Sequence, residues 1–262
     1  MTVKSPEGSR RERAAALKSD AFTHLPHLRG RVTPAEHSDL RVTPEVLAVW
    51  DERAQRLGRG PDWRLSNHAL EASRHALLGD RDPAEDLWIY SYGSLMWDPG
   101  FHFAEVRLAE VAGYRRRFSY RSTIGRGSAE HPALVLSLEP GSGSCRGLAF
   151  RIEGAIAQHE SAMVWRREMI RGGYRPTFLP VSTPQGEVTA LAFASNDAHA
   201  DHVGELPVDE TAAMIARASG TLGTNRHYLE QVAAQLERLG IEDGYLQQLA
   251  GRVRALLSTD PP

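Results

Sequence analysis

The pattern of apolar and polar positions changes near Asp86. Before it, charged residues are frequent and apolar residues come in short groups. After it, apolar residues form the runs of aromatic and β-branched side chains that are typical of strands. The pattern therefore predicts an N-terminal extension, residues 1–86, and a main domain, residues 87–258. The first 30 residues carry many charges and little periodicity, and we expect them to be partly disordered.

Helix signals occur in residues 31–80 of the extension. Thr33-Pro34 and Thr43-Pro44 are each followed by a glutamate, which is a helix-start signature with Thr as the cap and Pro in the first turn. The second signature leads into a short apolar pattern that Gly58 should end. Another helix is predicted over residues 66–78. We therefore expect the extension to be partly helical.

In the main domain, strands come first and helices last. Strands are predicted over residues 87–92, 106–111, 133–138, 147–152, 177–181 and 188–193. The third and fourth strands flank a Pro-Gly-Ser-Gly loop and the last two flank Pro184-Gln185-Gly186, so each pair is predicted to form a hairpin. Helices are predicted over residues 155–171, 209–218, 225–239 and 242–257. This order indicates an α+β fold with a mainly antiparallel, barrel-like sheet.

Composition excludes several classes of function. The chain has 262 residues, with 31 Lys and Arg against 33 Asp and Glu. Such a balance lacks the basic excess that nucleic-acid or membrane-surface binding requires, so neither partner is expected. A single cysteine, Cys145, allows no disulfide within the chain. The sequence has no apolar run of about 20 residues and no apolar signal segment at its N-terminus, so we expect a cytoplasmic protein.

The first candidate for chemistry is the turn Tyr92-Gly93-Ser94-Leu95, directly after the first predicted strand. Glycine allows a sharp turn, and successive backbone N–H groups in such a turn can hold a carboxylate or a developing oxyanion. An ordinary turn at the end of a strand explains the same residues. Taken alone, the residues favour that ordinary explanation.

The second candidate is Glu168. On its predicted helix, Val164 and Trp165 lie one turn earlier and share its face, whereas Arg166 and Arg167 are expected to point elsewhere. A carboxylate in such apolar surroundings would have a raised pKa and could transfer protons. The alternative is a solvated carboxylate paired with Arg171, and the residues alone favour it.

Other chemistry is less well supported. His199 and His202, with Asp201 between them, have no third imidazole or thiol near in sequence, so no metal site is expected. Ser94 lacks the Gly-x-Ser-x-Gly elbow of a hydrolase nucleophile. Gly141-Ser142-Gly143-Ser144 has no following lysine and opens no helix, which excludes a phosphate loop.

Nine segments of the main domain fall in an ordered set. They are Trp88-Ile89-Tyr90-Ser91-Tyr92-Gly93-Ser94-Leu95-Met96-Trp97, Pro99-Gly100-Phe101, Gly113-Tyr114-Arg115-Arg116-Arg117-Phe118, Arg126-Gly127-Ser128, Cys145-Arg146-Gly147-Leu148-Ala149-Phe150-Arg151, Arg167-Glu168, Gly172-Gly173-Tyr174, Gly220-Thr221-Leu222-Gly223-Thr224-Asn225 and Tyr228-Leu229. Together they resemble the ChaC-like γ-glutamylcyclotransferase family over about residues 87–255. No single segment is decisive, but the ordered set is specific. One departure is Ser91, where the family usually has glycine.

The resemblance implies a small β-barrel with surrounding helices. It also implies a carbon–nitrogen lyase that converts glutathione to 5-oxoproline and Cys-Gly without a cofactor. Glu168 matches the family's acid/base position. The expected substrate-binding residues are Ile89, Tyr90, Ser91, Tyr92, Gly93, Ser94, Leu95 and Tyr174. Two alternatives stay open: a cyclotransferase for other γ-glutamyl peptides or amines, and a non-catalytic γ-glutamyl-binding regulatory protein. The sequence predicts no oligomeric state.

Every residue that carries the resemblance lies after Asp86. We therefore expect a chain shortened to begin near Glu85 to stay folded and active. The opposite outcome follows if the extension buries an apolar face against the main domain, since exposing that face would be costly. The candidate face consists of Val46, Leu47, Val49, Trp50 and Leu57.

Overall fold

The computed structural model describes residues 20–259, and a closed five-stranded β-barrel forms its centre. The strands are β1 (Leu87–Ser91), β2 (Glu105–Ser122), β3 (Ala133–Ile152), β4 (Tyr174–Thr183) and β5 (Gly186–Ser195). Their order around the barrel is β1-β3-β2-β4-β5, and a parallel pairing of β5 with β1 closes it. The long pairings are antiparallel. The predicted α+β fold with a mainly antiparallel small barrel is confirmed.

Six α-helices within the described residues surround the barrel. They are α1 (Pro44–Arg56), α2 (Asn67–Leu78), α3 (Gly154–Glu168), α4 (Val208–Arg217), α5 (Asn225–Arg238) and α6 (Gly244–Thr259). A short ribbon of β6 (Ser219–Gly220) and β7 (Gly223–Thr224) precedes α5. The four helices of the main domain begin and end within three residues of their predicted bounds. No helix between residues 20 and 259 is long and apolar enough to cross a membrane.

One predicted hairpin is wrong, because residues 133–138 and 147–152 belong to a single strand, β3. β3 pairs with β2 along most of its length, and a register shift opposite Gly113 takes up its extra residues. Pro140 has no N–H to donate. A strand tolerates proline where one edge lacks a partner, and β1 pairs only with the last five residues of β3. The second predicted hairpin is present as β4 and β5.

The extension packs on the barrel. Leu28, Val32, Leu70 and Leu78 are each at most 5% exposed and share one apolar core with the barrel strands. Residues 20–30 were part of the segment expected to be disordered, and they form turns that bury Leu28 completely. Residues 1–19 lie outside the described residues. The division of the chain at residue 86 stays a prediction. The sequence pattern changes there, but the apolar core includes residues from both sides of it.

Local capping signals in the extension have two different outcomes. The Thr43 hydroxyl accepts from the Val46 N–H at 3.3 Å and begins α1, and the Ser66 hydroxyl caps α2 in the same way. The signature at Thr33-Pro34 produces just one 3₁₀ turn, Ala35–His37, with no side-chain cap. There the backbone N–H of Thr33 donates to the Trp97 carbonyl instead, at 2.8 Å. A contact with the main domain thus replaces the helix start.

The apolar face suggested for α1 is not what the extension buries. Leu47 is 2% exposed, but Val49 is 56% exposed and Leu57 is 62% exposed. The burial against the barrel comes mainly from leucines and valines before α1 and within α2, which belong to the shared core.

Candidate active site

The end of β1 brings two tyrosines to one face of the barrel. Because side chains alternate along a strand, Tyr90 and Tyr92 point to the same side. Both are buried, and their hydroxyls donate to the carbonyls of Cys145 at 2.6 Å and Phe193 at 2.7 Å. The neighbouring residues Ile89 and Ser91 face the other way. Both are buried, and neither lines the cavity that the tyrosines border.

After β1 the chain makes a 3₁₀ turn, Ser94–Met96. The turn is held by the Met96 N–H, which donates to the Gly93 carbonyl at 2.9 Å. Among the described residues, the N–H groups of Ser94 and Leu95 at the start of the turn have no hydrogen-bond acceptor. Two adjacent free N–H groups at the edge of a cavity are suited to hold a carboxylate or a carbonyl oxygen.

Gly93 is needed for space and not for a left-handed backbone. Its φ is −134°, which other residues adopt. A Cβ at this position would lie 3.3 Å from the Tyr228 hydroxyl and 3.8 Å from Leu136 Cδ1. The missing side chain therefore keeps open the gap between the turn and the opposite wall.

Glu168 is the last residue of α3 and lies in this same cavity. The lining residues are Tyr90, Tyr92, Gly93, Ser94, Leu95, Leu136, Glu168, Tyr174, Phe193 and Tyr228. They come from β1, β3, β4, β5, α3, α5 and the turn after β1. The structure thus gathers seven of the nine predicted site residues around one space, and the roles assigned to them stay predictions.

Burial raises the pKa of the Glu168 carboxyl, while the Arg167 guanidinium lowers it, and burial is the larger effect. Arg167 Nε lies 3.2 Å from Glu168 Oε1. The C-terminal end of α3 adds to the cost of a negative charge there. The alternative pairing with Arg171 is wrong, since Arg171 donates to Asp201 at 3.1 Å and to the Trp63 carbonyl at 2.9 Å.

Arg167 connects the turn to the carboxylate, and the expectation that it points elsewhere is wrong. Its Nη1 donates to the Asp98 carbonyl at 2.6 Å and its Nη2 to the Ser94 hydroxyl at 2.9 Å, while Nε faces Glu168. One planar guanidinium therefore fixes the distance between the turn and the acid. Sequence spacing missed this because a long side chain at a helix end can fold back along the axis.

Three tyrosines around Glu168 stay neutral. Burial raises the pKa of Tyr92, Tyr174 and Tyr228 above the usual tyrosine value, and the nearby Glu168 charge raises it further. The Tyr174 hydroxyl donates to the Leu136 carbonyl at 2.9 Å. The three tyrosine hydroxyls therefore stay protonated, and Glu168 is the carboxyl group among the residues that line the cavity.

Sequence reasoning missed Leu136, Phe193 and Tyr228 as lining residues. Leu136 and Phe193 lie in predicted strands, and Tyr228 comes 60 residues after Glu168, on α5. The Tyr228-Leu229 pair was part of the ordered set of segments, and this was the one signal for it. Nothing local to these positions shows that they face the cavity.

The two histidines have other roles. His199 Nδ1 lies 2.7 Å from the Tyr120 hydroxyl, and His202 Nε2 lies 2.9 Å from Glu139. Between residues 20 and 259, no three His, Cys, Asp or Glu side chains come close enough together to hold a metal ion.

The cavity brings together a carboxyl group with a raised pKa, a turn whose N–H groups can hold an anion, and aromatic walls. The Ser94 hydroxyl accepts from Arg167 and has no base beside it among the described residues. Cys145 is buried in the core.

Comparison with known proteins gives consistent matches. The family described as ChaC-like protein matches residues 87–256. An Escherichia coli (strain K12) protein named glutathione-specific γ-glutamylcyclotransferase is 36% identical over 201 residues, which is 76% of this chain and 86% of that protein. A Mus musculus protein, glutathione-specific γ-glutamylcyclotransferase 1, is 34% identical over 68% of this chain and 82% of its own length.

Solved structures show the same fold. A yeast γ-glutamyl cyclotransferase specific to glutathione superimposes with a TM-score of 0.61 at 22% identity. The superposition covers 65% of this chain and 96% of the yeast chain. The family match covers residues 87–256, which include the barrel and the four helices of the main domain.

Proposed function

The chain belongs to the ChaC-like protein family, and we propose that it is a glutathione-specific γ-glutamylcyclotransferase. The α-amine of the glutamyl residue attacks the γ-carbonyl carbon of the same residue. A C–N bond forms and closes a five-membered ring, and the amide bond to cysteine breaks. The products are 5-oxoproline and Cys-Gly. The atoms balance without water, a metal or an external nucleophile.

The observation that carries the proposal is the position of Glu168, with its raised pKa, opposite a turn with free N–H groups. The ring closure requires a proton to leave the substrate ammonium and a proton to reach the departing nitrogen. One carboxyl can do both in turn, and a group with a pKa shifted towards neutrality does so efficiently. In this proposal Glu168 is first the base and then the acid.

The turn is proposed to hold the glutamyl end of the substrate. In this proposal the N–H groups of Ser94 and Leu95 donate to the α-carboxylate or to the developing oxyanion. Tyr92 and Tyr174 are walls of the cavity and would contact the curled glutamyl chain. Holding the amine against its own carbonyl supplies the near-attack geometry that a flexible chain rarely adopts in water.

Incubating the purified chain with glutathione tests this function. We expect 5-oxoproline and Cys-Gly in equal amounts by mass spectrometry. A γ-glutamyl dipeptide and a γ-glutamyl amine, tested in parallel, decide whether the enzyme prefers glutathione. Binding of glutathione without any product would support the non-catalytic alternative and contradict the proposal. We also propose the cytoplasm as its compartment, in keeping with an unpaired Cys145.

A further inference from the structure

We infer that Arg126 determines the leaving group: its guanidinium binds the glycyl carboxylate of glutathione and so selects leaving groups that end in a carboxylate. The inference rests on the proposed function and extends it to the part of the substrate that departs. The cavity around Glu168 accounts for the glutamyl end alone. A residue that recognises Cys-Gly must lie next to that cavity and carry donors for an anion.

Arg126 is a half-buried cation without an anionic partner. Among the described residues, no carboxylate oxygen lies within 4 Å of its guanidinium, and burial lowers its pKa. Its Nη2 donates to Gln231 Oε1 at 3.1 Å and its Nη1 makes a long contact with the Thr224 carbonyl at 3.5 Å. A guanidinium has five N–H donors, so several stay available. Neutral acceptors do not compensate a partly desolvated charge as a carboxylate does.

The position of Arg126 relative to the cavity gives the second argument. Its guanidinium carbon lies 6.0 Å from the centre of the Tyr228 ring. The hydroxyl of the same tyrosine lies near the turn, 3.3 Å from where a Gly93 Cβ would be. Tyr228 therefore lies next to both the glutamyl-binding turn and Arg126. Two extended residues span at most about 7 Å, which is the reach of Cys-Gly beyond the scissile amide.

Neighbouring arginines serve as a comparison. Arg166 also has no carboxylate within 4 Å among the described residues, but it lies in a separate groove between α1, α2 and α3. Arg116, beneath the turn, is paired with Asp243 at 3.1 Å. Arg167 is committed to Glu168 and the turn. Of these four arginines, Arg126 alone is both next to a lining residue of the cavity and free of a carboxylate.

The loop that carries Arg126 is fixed before substrate arrives. It connects β2 to β3, and the Leu222 N–H donates to the Gly125 carbonyl at 2.8 Å. From the extension, the Arg59 guanidinium donates to the Thr123 carbonyl at the start of the same loop. Binding a carboxylate there costs little ordering of the chain, which favours affinity. A γ-glutamyl amine, in contrast, would leave the Arg126 charge half-buried and unpaired.

The test compares glutathione with its C-terminal glycinamide, which has the same atoms except for the charged carboxylate. We expect the unaltered enzyme to prefer glutathione by about tenfold or more in kcat/KM, the range of a lost charge-assisted hydrogen bond. Arg126→Gln should bring this ratio close to one, mainly through a higher KM for glutathione. Arg126→Lys should retain part of it. Arg226→Gln, which removes an exposed cation from the first turn of α5, is the matched control and should leave the ratio unchanged.

A ratio that Arg126→Gln does not change would overturn the inference. If both substrates lose activity equally, the ratio also stays the same, and the loss indicates a structural role. Thermal melts of each variant identify misfolding. If Arg126→Gln misfolds, the preference of Arg126→Lys for glutathione over the amide tests the inference instead. If the unaltered chain produces no 5-oxoproline, the proposed function fails separately. Calorimetric binding of glutathione and its amide then tests Arg126 without catalysis, and equal affinities would contradict the role.

Discussion

Helix α3 carries one carboxylate in its middle, Glu160, and one at its C-terminal end, Glu168, and their surroundings shift the pKa of the two groups in opposite directions. Burial would raise the pKa of Glu160, but hydrogen bonds from Arg41 and the His102 N–H lower it overall. The Arg41 nitrogens lie 2.6 and 2.9 Å from the two carboxylate oxygens. Eight residues later, Glu168 has the Arg167 guanidinium as its charged partner, and burial prevails.

The comparison shows that the number and kind of donors, and not burial alone, decide what a carboxylate does. Glu160 is locked in its charged form, so it can hold structure but cannot exchange protons near neutral pH. Burial raises the pKa of Glu168, and a shift in this direction favours proton transfer. Arg41, one of the two donors to Glu160, belongs to the extension. The extension therefore stabilises the helix that also carries Glu168, the proposed acid/base.

Removing the extension should have the largest effect. A chain that begins near Glu85 loses Arg41 and the buried side chains of Leu28, Val32, Leu70 and Leu78. Each fully buried apolar side chain contributes about 1.5–3 kcal/mol, and domains are stable by about 5–15 kcal/mol. We now expect this chain to aggregate, contrary to the expectation from sequence. A chain that lacks residues 1–19 alone is the control, and a soluble, active protein from Glu85 onward would contradict the prediction.

Glu168→Gln should remove most of the activity without unfolding the protein. The amide cannot take or return the proton, so we expect kcat to fall by about 10²–10⁴. Glutathione should still bind, since the turn is unchanged. Glu153→Gln, at an exposed position before the same helix, is the control. A residual rate above about a tenth of normal would show that another group moves the proton.

Glu160→Gln and Glu168→Gln should change the free energy of unfolding in opposite directions. Glu160→Gln leaves the 15%-exposed Arg41 without its charge partner, and breaking a buried pair costs about 3–5 kcal/mol. Glu168→Gln removes a desolvated charge and should stabilise the fold by up to about 1 kcal/mol at pH 7. Urea unfolding of both variants measures the difference. Equal destabilisation by the two would end the distinction between the two sites.

The smallest effect concerns pH. The pKa of Glu160 is lowered by folding, so its stabilisation is present above the unfolded value and is lost as pH falls through the folded value.

The pKa of Glu168 is raised. As pH falls, its active carboxylate form is therefore lost at a higher pH than in an ordinary glutamate, and kcat/KM should decline at a pH above 4.5. Arg167 lowers this pKa. In Arg167→Met the acidic limb of the pH profile should therefore move to higher pH, whereas an unmoved limb would show that Arg167 does not act on Glu168.

Features that depend on neighbouring residues were predictable from the sequence. The predicted cap at Thr43 involves a hydroxyl and an N–H three residues on, and it is present. The helix predicted from Ser66 is also present, and the Ser66 hydroxyl caps it in the same way. The continuity of β3 was not predictable, because Pro140 and the residues after it indicate a turn. The structure shows that β1 pairs only with the last five residues of β3, beyond Pro140.

The site was predicted where it is contiguous in sequence and missed where distant elements meet. The turn after β1 and Glu168 were identified through an ordered resemblance. Tyr228 and Leu136 reach the cavity because α5 and β3 close around it, and no local signal encodes that. Ser91 is a departure from the family that the structure does not explain: its buried hydroxyl has no hydrogen-bond partner among the described residues.

The closure of the barrel has a consequence for how the molecule fluctuates. All five residues of β1 pair with β3, but just two pairs, Trp88 with Ala190 and Ile89 with Leu191, join it to β5. A sparsely paired seam opens more easily than a long one, so the amides along this seam should exchange with deuterium sooner than those of the long β2–β3 hairpin. Because β1 runs directly into the turn at Gly93, breathing of the seam gives the cavity a route to solvent while the rest of the barrel stays closed.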